Sequence, residues 1–123
     1  MARILVVEDS PTVVYLLGDA LAQDGYDVLK ATDGAEALRI AREEELDLVL
    51  LDVILPKVNG FQVCRMLKEG EHTAHLPVVM ITSKAKTKDR MWGLEQGADA
   101  YVTKPVDRVE LLDVVHKFVR QPS

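Results

Sequence analysis

The sequence has a single cysteine, Cys64, which excludes an internal disulfide. A lone thiol suits a reducing compartment. No apolar run approaches the roughly 18 residues that a membrane-spanning helix needs. A secretory leader is missing too: the first apolar run is only Ile4 to Val7, and Glu8-Asp9 follows at once. There is no excess of basic charge. Acids outnumber bases 20 to 15, for a net charge of -5. That balance argues against non-specific nucleic-acid binding, which needs a basic surface. Repeats, low-complexity tracts and interdomain linkers are absent as well. These absences predict one cytoplasmic domain over residues 1–123, with no membrane insertion and no nucleic-acid partner. Gln121-Pro122-Ser123 reads as a short tail, and no effector domain is legible after it.

What is present is a sizeable apolar fraction, 48% of the chain, enough to build a core. Five short apolar runs stand out: Ile4-Val7, Tyr26-Leu29, Leu46-Leu51, Val78-Ile81 and Ala100-Val102. Segments of helical spacing lie between them. Val13, Leu16, Leu17, Ala20 and Leu21 form one stripe, and Leu111, Val115 and Phe118 form another. Ile4-Val7 and Leu46-Leu51 are nearly continuous, as strands covered on both faces should be. Strands alternating with helices predict an α/β fold with an open parallel sheet and helices on both sides. Punctuation agrees: Gly25 ends the first helix, Asp33-Gly34 precedes the second, Asn59-Gly60 opens the third, and Gly97 ends the fourth.

Ligands of such sheets bind beyond the carboxyl ends of the strands. Glu8-Asp9 follows the first run, Asp52 the third, Thr82-Ser83 the fourth and Thr103-Lys104-Pro105 the fifth. Lys30-Ala31-Thr32, after the second, says less. If those four strand ends are neighbours, three carboxylates, a hydroxyl and an ammonium share one pocket. Three clustered carboxylates repel, so protons are retained there or a cation binds. Oxygen donors without His or Cys suit a hard ion such as magnesium. Lys104 and Thr82 can meet phosphoryl oxygens, and a carboxylate can be the nucleophile that forms an acyl phosphate. Taken singly, each residue has an ordinary role: Asp9 a helix N-terminal acid, Asp52 a loop acid, Thr82 a strand-end hydroxyl, Lys104 a solvated lysine. The suitable groups after four strand ends together favour the chemical reading.

With Glu8-Asp9, Asp52 followed by Pro56 and Gly60, Thr82 and Lys104-Pro105, the chain resembles the receiver domain of two-component response regulators over essentially its whole length. The resemblance implies a doubly wound, flavodoxin-like fold of five parallel strands, order 2-1-3-4-5, with five helices. It implies that Asp52 is the phosphoacceptor of a phosphorelay and that Thr82 and Lys104 contact the phosphoryl oxygens. It implies magnesium held by Asp9 and Asp52 directly, by Glu8 through water and by the Ile54 carbonyl. The Lys104-Pro105 bond is expected to be cis. Position 8 departs from the family, which more commonly has Asp. The extra methylene of Glu8 keeps the charge and the donors. Ile54 and Lys84 stand where the family tunes dephosphorylation. Asp89-Arg90-Met91-Trp92-Gly93, Gln96 to Tyr101, and Val6 to Thr12 are similar to stand-alone chemosensory receivers of type IV pilus motility or phototaxis.

The resemblance also implies a switch: Thr82 moves toward the phosphoryl group, and Tyr101 turns into the vacated space. The readout face would be the fourth helix, fifth strand and fifth helix, with Lys86, Arg90, Tyr101, Val114 and Lys117. The expected partners are a histidine kinase or histidine phosphotransfer protein, and a downstream protein target, the chain itself being a monomer or weak dimer. Val14 and Tyr15, with Leu17 nearby, are candidates for docking the phosphodonor. On this reading the chain is no enzyme beyond its own phosphorylation and dephosphorylation.

Three other classes compete. A haloacid-dehalogenase-like phosphatase would carry Asp-x-Asp after the first strand, where Glu8 and Asp9 are adjacent. A flavodoxin-like electron carrier would need a hydroxyl- and glycine-rich phosphate loop there, and Glu8-Asp9 repels phosphate unless a metal intervenes. An unphosphorylated scaffold would have no use for the full residue set.

Overall fold

Apolar runs become strands and periodic segments become helices in a computed structural model describing residues 1–119. The tail at Gln121-Pro122-Ser123 lies outside the described residues. The order is β1 (Arg3–Val7), α1 (Pro11–Gln23), β2 (Asp27–Ala31), α2 (Gly34–Glu43), β3 (Leu48–Leu51), α3 (Gly60–Glu69), β4 (Val78–Thr82), α4 (Thr87–Glu95), β5 (Ala100–Thr103) and α5 (Arg108–Phe118). All strand pairs are parallel, and the sheet order is β2-β1-β3-β4-β5, as the resemblance implied.

Two-residue periodicity splits the core in two. Leu5, Val7, Val49, Leu51, Val78 and Met80 point to one face and pack with Ala37, Leu38 and Ala41 of α2 and Val63, Cys64 and Leu67 of α3. Ile4, Val6, Leu48, Leu50, Val79 and Ile81 point to the other and meet Leu17, Ala20 and Leu21 of α1 and Leu111 and Val115 of α5. Each Leu, Ile, Val or Met among them, fully buried, contributes about 1.5–3 kcal/mol. Local chemistry sets the helix starts. Ser10, Asp33, Asn59 and Asp107 cap α1, α2, α3 and α5 by accepting from the backbone N–H three residues on. Gly25 and Gly97 leave α1 and α4 with φ of 90° and 104°, a region that other residues enter at a cost. Of the nine residues of α4, only Gly93 is buried, and its N-cap, Lys86, makes no side-chain capping bond.

The structure corrects several expectations. Tyr26 is buried but precedes β2, which continues instead through Lys30 and Ala31. Leu46 is buried ahead of β3. Leu16 is 60% exposed, and Gly18 takes its place on the buried side of α1. A Cβ at Gly18 would sit 3.4 Å from Lys30 Cε and 3.9 Å from Val28 Cγ1, so β2 closes that part of the stripe. Leu17 is largely buried, with its exposed edge on a groove that it shares with Val13 and Leu16.

Candidate functional site

The chain leaves β1 toward β2 on one side and later enters β3 on the other, so the crevice lies between β1 and β3. Pairing runs one bond past the strands. Asp52 N–H donates to the Val7 carbonyl at 3.0 Å, and Glu8 N–H donates to that of Ala31 at 3.0 Å. Those bonds set Glu8 and Asp52 side by side. Lys104 N–H donates to the Thr82 carbonyl at 2.9 Å, extending β4 and β5 in the same way. The third wall is the loop after β3. Gly60 N–H donates to the Val53 carbonyl at 2.8 Å, and a Cβ at Gly60 would fall 2.1 Å from the Asp52 carbonyl oxygen. Only glycine lets α3 begin this close to the candidate nucleophile.

Glu8, Asp52 and Thr82 are 3%, 5% and 0% exposed, whereas Asp9 is open to solvent. The Lys104 ammonium donates to Glu8 Oε2 at 2.9 Å and to Asp52 Oδ2 at 3.0 Å. The other Asp52 oxygen accepts from the Ile54 N–H at 3.2 Å. Thr82 Oγ1 accepts from the Lys84 N–H at 3.4 Å. Asp9 is not the cap of α1; Ser10 is, and its own N–H is held by Glu8 Oε1 at 3.2 Å. The Lys104-Pro105 bond is cis, as expected.

One ammonium against two buried carboxylates splits their acidities. Burial, helped by Asp52 beside it, pushes Glu8 up to about 7 against the pull of Lys104. Burial also opposes charge on Asp52, but polar contacts from Glu8, Lys104, Thr82 and the Ile54 N–H outweigh it and hold Asp52 below the usual range. Lys104 is likewise desolvated, yet its two carboxylate partners keep it above its ordinary value. The pair is thus short of positive charge. One oxygen from each of Glu8, Asp9 and Asp52 lies within 4.8 Å of the others. An all-oxygen set of this size fits magnesium.

The predicted site residues Glu8, Asp9, Asp52, Thr82 and Lys104 therefore converge at one sheet end, with Ile54 on the loop beside them. Tyr101 stands apart, on β5, with its hydroxyl on the Lys84 carbonyl at 2.6 Å. Sequence reasoning missed that Gly93 lies under the Tyr101 ring: a Cβ there would meet Tyr101 Cδ2 at 2.9 Å. A glycine inside a helical pattern was the available signal.

Residues 4–116 match the model of the response regulator receiver domain. The chain is 45% identical over 116 residues to protein PilH of Pseudomonas aeruginosa, covering 94% of this chain and 96% of PilH. It is 41% identical over 121 residues to the DNA-binding dual master transcriptional regulator RpaA of Synechocystis sp., covering 98% of this chain but only 50% of RpaA. The receiver domain of the Pseudomonas aeruginosa sensor histidine kinase PA1611 is structurally similar, with a TM-score of 0.89 and 31% identity over 95% of this chain and 96% of that one. That structure has a magnesium ion coordinated in its active site cleft.

Proposed function

The chain belongs to the response regulator receiver domain family, and on that premise we propose that Asp52 accepts a phosphoryl group from a histidine kinase or histidine phosphotransfer protein. The reaction is magnesium-dependent, and the added charge changes which proteins the chain binds. The observation that carries this reading is the Lys104 ammonium bridging Glu8 and Asp52 at 2.9 and 3.0 Å.

An Asp52 oxygen attacks the phosphorus. The donor's P–N bond breaks, and the leaving imidazole keeps the electron pair. Asp52 stays ionised at neutral pH, so no base is required. The Ile54 N–H and Lys104 fix the carboxylate before attack, and Lys104 and Thr82 stand ready to take the incoming oxygens. Glu8, Asp9, Asp52 and the Ile54 carbonyl are the groups that would hold magnesium, which supplies positive charge against the phosphoryl oxygens. Dephosphorylation by water is the chain's only other reaction, and a single unit over 1–123 carries both.

The phosphodonor docks beside α1. Leu16 joins the patch: Leu16 and Tyr15 are 60% and 65% exposed, and Val14 is half-buried. A groove of about 440 Å³ lined by Val13, Leu16, Leu17, Pro105 and Val106, among others, reaches Lys104. Output runs through Lys86, Arg90, Tyr101, Val114 and Lys117 on α4, β5 and α5. The similarity to PilH and the Asp89 to Tyr101 segment support a place in a chemosensory, type IV pilus motility pathway. No helix of the described residues is long and apolar enough to cross a membrane; the proposed place of action is the cytoplasm, and the proposed state a monomer or weak dimer.

Acetyl phosphate with magnesium is expected to add one phosphoryl group to the wild-type chain, seen by mass spectrometry, and none to Asp52→Asn. An unlabelled wild type would instead favour the scaffold.

A further inference from the structure

We propose that Asp33 and Gly34, at the N-terminus of α2, clamp the turn at Pro56-Lys57-Val58 and thereby set the Ile54 carbonyl for magnesium. This inference rests on the metal reading given above and adds the part of the fold that tunes the metal's affinity.

The loop after β3 is tied down near both ends. Ile54 N–H donates to Asp52 Oδ1 at 3.2 Å, and Gly60 N–H donates to the Val53 carbonyl at 2.8 Å. The Ile54 carbonyl comes next in the chain after that first bond, so the residues that follow decide its direction. Leu55 precedes a proline, which confines it to extended backbone. Leu55 and Val58 both pack against the core face that α2 and α3 cover. Between them the chain reverses sharply. Val58 N–H donates to the Pro56 carbonyl, two residues back, at 2.9 Å, and Lys57 between them has φ of 69°. That bond and that φ belong to the rarer, strained hand of the γ-turn. Lys57 is the one non-glycine residue with positive φ among those described. Such strain persists only where the surroundings enforce it.

The enforcement comes from α2. Gly34 N–H donates to the same Pro56 carbonyl at 3.3 Å. Gly34 is the first residue of the helix, so this bond also uses one of the N–H groups that a helix start leaves over. The approach is very close. A Cβ at Gly34 would fall on the Val58 carbonyl oxygen, 2.8 Å from Val58 Cβ and 2.9 Å from the Val58 carbonyl carbon. Asp33 steadies this helix end: its Oδ1 accepts from the Glu36 N–H at 2.8 Å, and its Oδ2 lies 3.5 Å from the Lys57 ammonium. Lys57 is 67% exposed, so the ion pair is the lesser part of the clamp. Magnesium makes the placement count, because it demands nearly octahedral oxygens at about 2.0–2.1 Å. Asp33 and Gly34 are positioning residues. They act through the turn, while the carboxylates of the metal set are Glu8, Asp9 and Asp52.

The test titrates the full, nitrogen-labelled chain with magnesium chloride and reads the binding constant from its amide NMR lines, with urea midpoints measured alongside. Lys57→Val and Lys57→Gly both remove the charge and differ in tolerance of positive φ. Lys57→Val is expected to bind magnesium roughly five- to tenfold more weakly than Lys57→Gly. Asp33→Ala and Asp33→Asn are likewise both neutral, but only asparagine caps the helix, and alanine should bind roughly three- to fivefold more weakly. Gly34→Ala should weaken magnesium as Lys57→Val does; if it does not fold, the Asp33 pair decides the part played by α2. Equal constants within either pair, in a chain whose wild type binds, overturn the clamp alone. So do lowered urea midpoints with an unchanged magnesium constant, which mark a purely structural role. A wild type whose lines do not respond to magnesium overturns the metal reading itself, and the clamp with it.

Discussion

Replacing Gly60 by Ala should destabilise the protein, although alanine is the better helix former. The new Cβ would lie 2.1 Å from the Asp52 carbonyl oxygen, 2.6 Å from Val53 Cα and 2.8 Å from the Asp52 carbonyl carbon. Comfortable contacts of this kind are about 3.5–4.0 Å. All three neighbours are backbone, so no side chain can rotate away, and α3 must retreat from β3 by more than about 1 Å. Overpacking of this kind costs about 1–3 kcal/mol. Loss of the bond from Gly60 N–H to the Val53 carbonyl, 2.8 Å long, adds about 0.5–1.5 kcal/mol. Helix propensity returns at most about 1 kcal/mol. The net loss is about 0.5–3.5 kcal/mol, centred near 2. An unfolding entropy of about 2.1 cal/mol/K per residue over 123 residues makes 1 kcal/mol worth about 4 °C, so Tm should fall by about 2–14 °C, centred near 8 °C. Gly18→Ala is the control. Its nearest neighbour is the flexible end of Lys30, at 3.4 Å, and the site is inside α1. It should gain up to about 1 kcal/mol. Thermal and urea unfolding followed by circular dichroism measures both. If Gly60→Ala melts at or above wild type, or both variants move in the same direction, the close approach at Asp52 is not the constraint described.

Glu8, pushed up to about 7 by burial, favours the fold while protonated. Because its pKa is raised on folding, that stability is present below the unfolded value of about 4.5 and is lost as pH rises through 7. In chelator, the urea midpoint of wild type should fall across that window more than that of Glu8→Gln; equal slopes would refute it. Asp99 Oδ2 accepts from Val78 N–H at 2.8 Å and from Lys68 Nζ at 2.8 Å. Asp99→Ala should cost about 1–3 kcal/mol by leaving that N–H without a partner, and an unchanged urea midpoint would contradict the assignment. Burial pushes the Cys64 thiol up to about 11. Ellman's reagent at pH 8 should react at least 100-fold faster in denaturant than with the native chain (roughly, from the thiolate fraction), and equal rates would count against a buried thiol.

The strands and the five candidate site residues at their ends were legible because both follow from short-range signals, whereas the strand order came only with the receiver resemblance. Apolar runs mark the strands, and the residue after each run marks the pocket rim. The misreadings arose where a neighbour decides. Leu16 fits the α1 period, yet the buried stripe runs through Gly18 because Val28 and Lys30 of β2 close over it. Tyr26 looked like a strand residue because it is apolar and buried, but burial does not specify pairing. The arrangement around Tyr101 depends on a ring from β5 meeting a glycine on α4. No period within either segment encodes that meeting.

Because α4 buries nothing but Gly93 and starts without a side-chain cap, it contributes little to the global stability of the fold. Its free energy of local opening should sit well below that of the sheet it lies on. A partner that grips the exposed Met91, Trp92 and Leu94 can therefore reshape this helix while the strands carrying Asp52 stay folded. On the proposed readout, the α4 surface and the site at Asp52 occupy different rungs of one stability ladder, so that surface can be remodelled without disturbing the site.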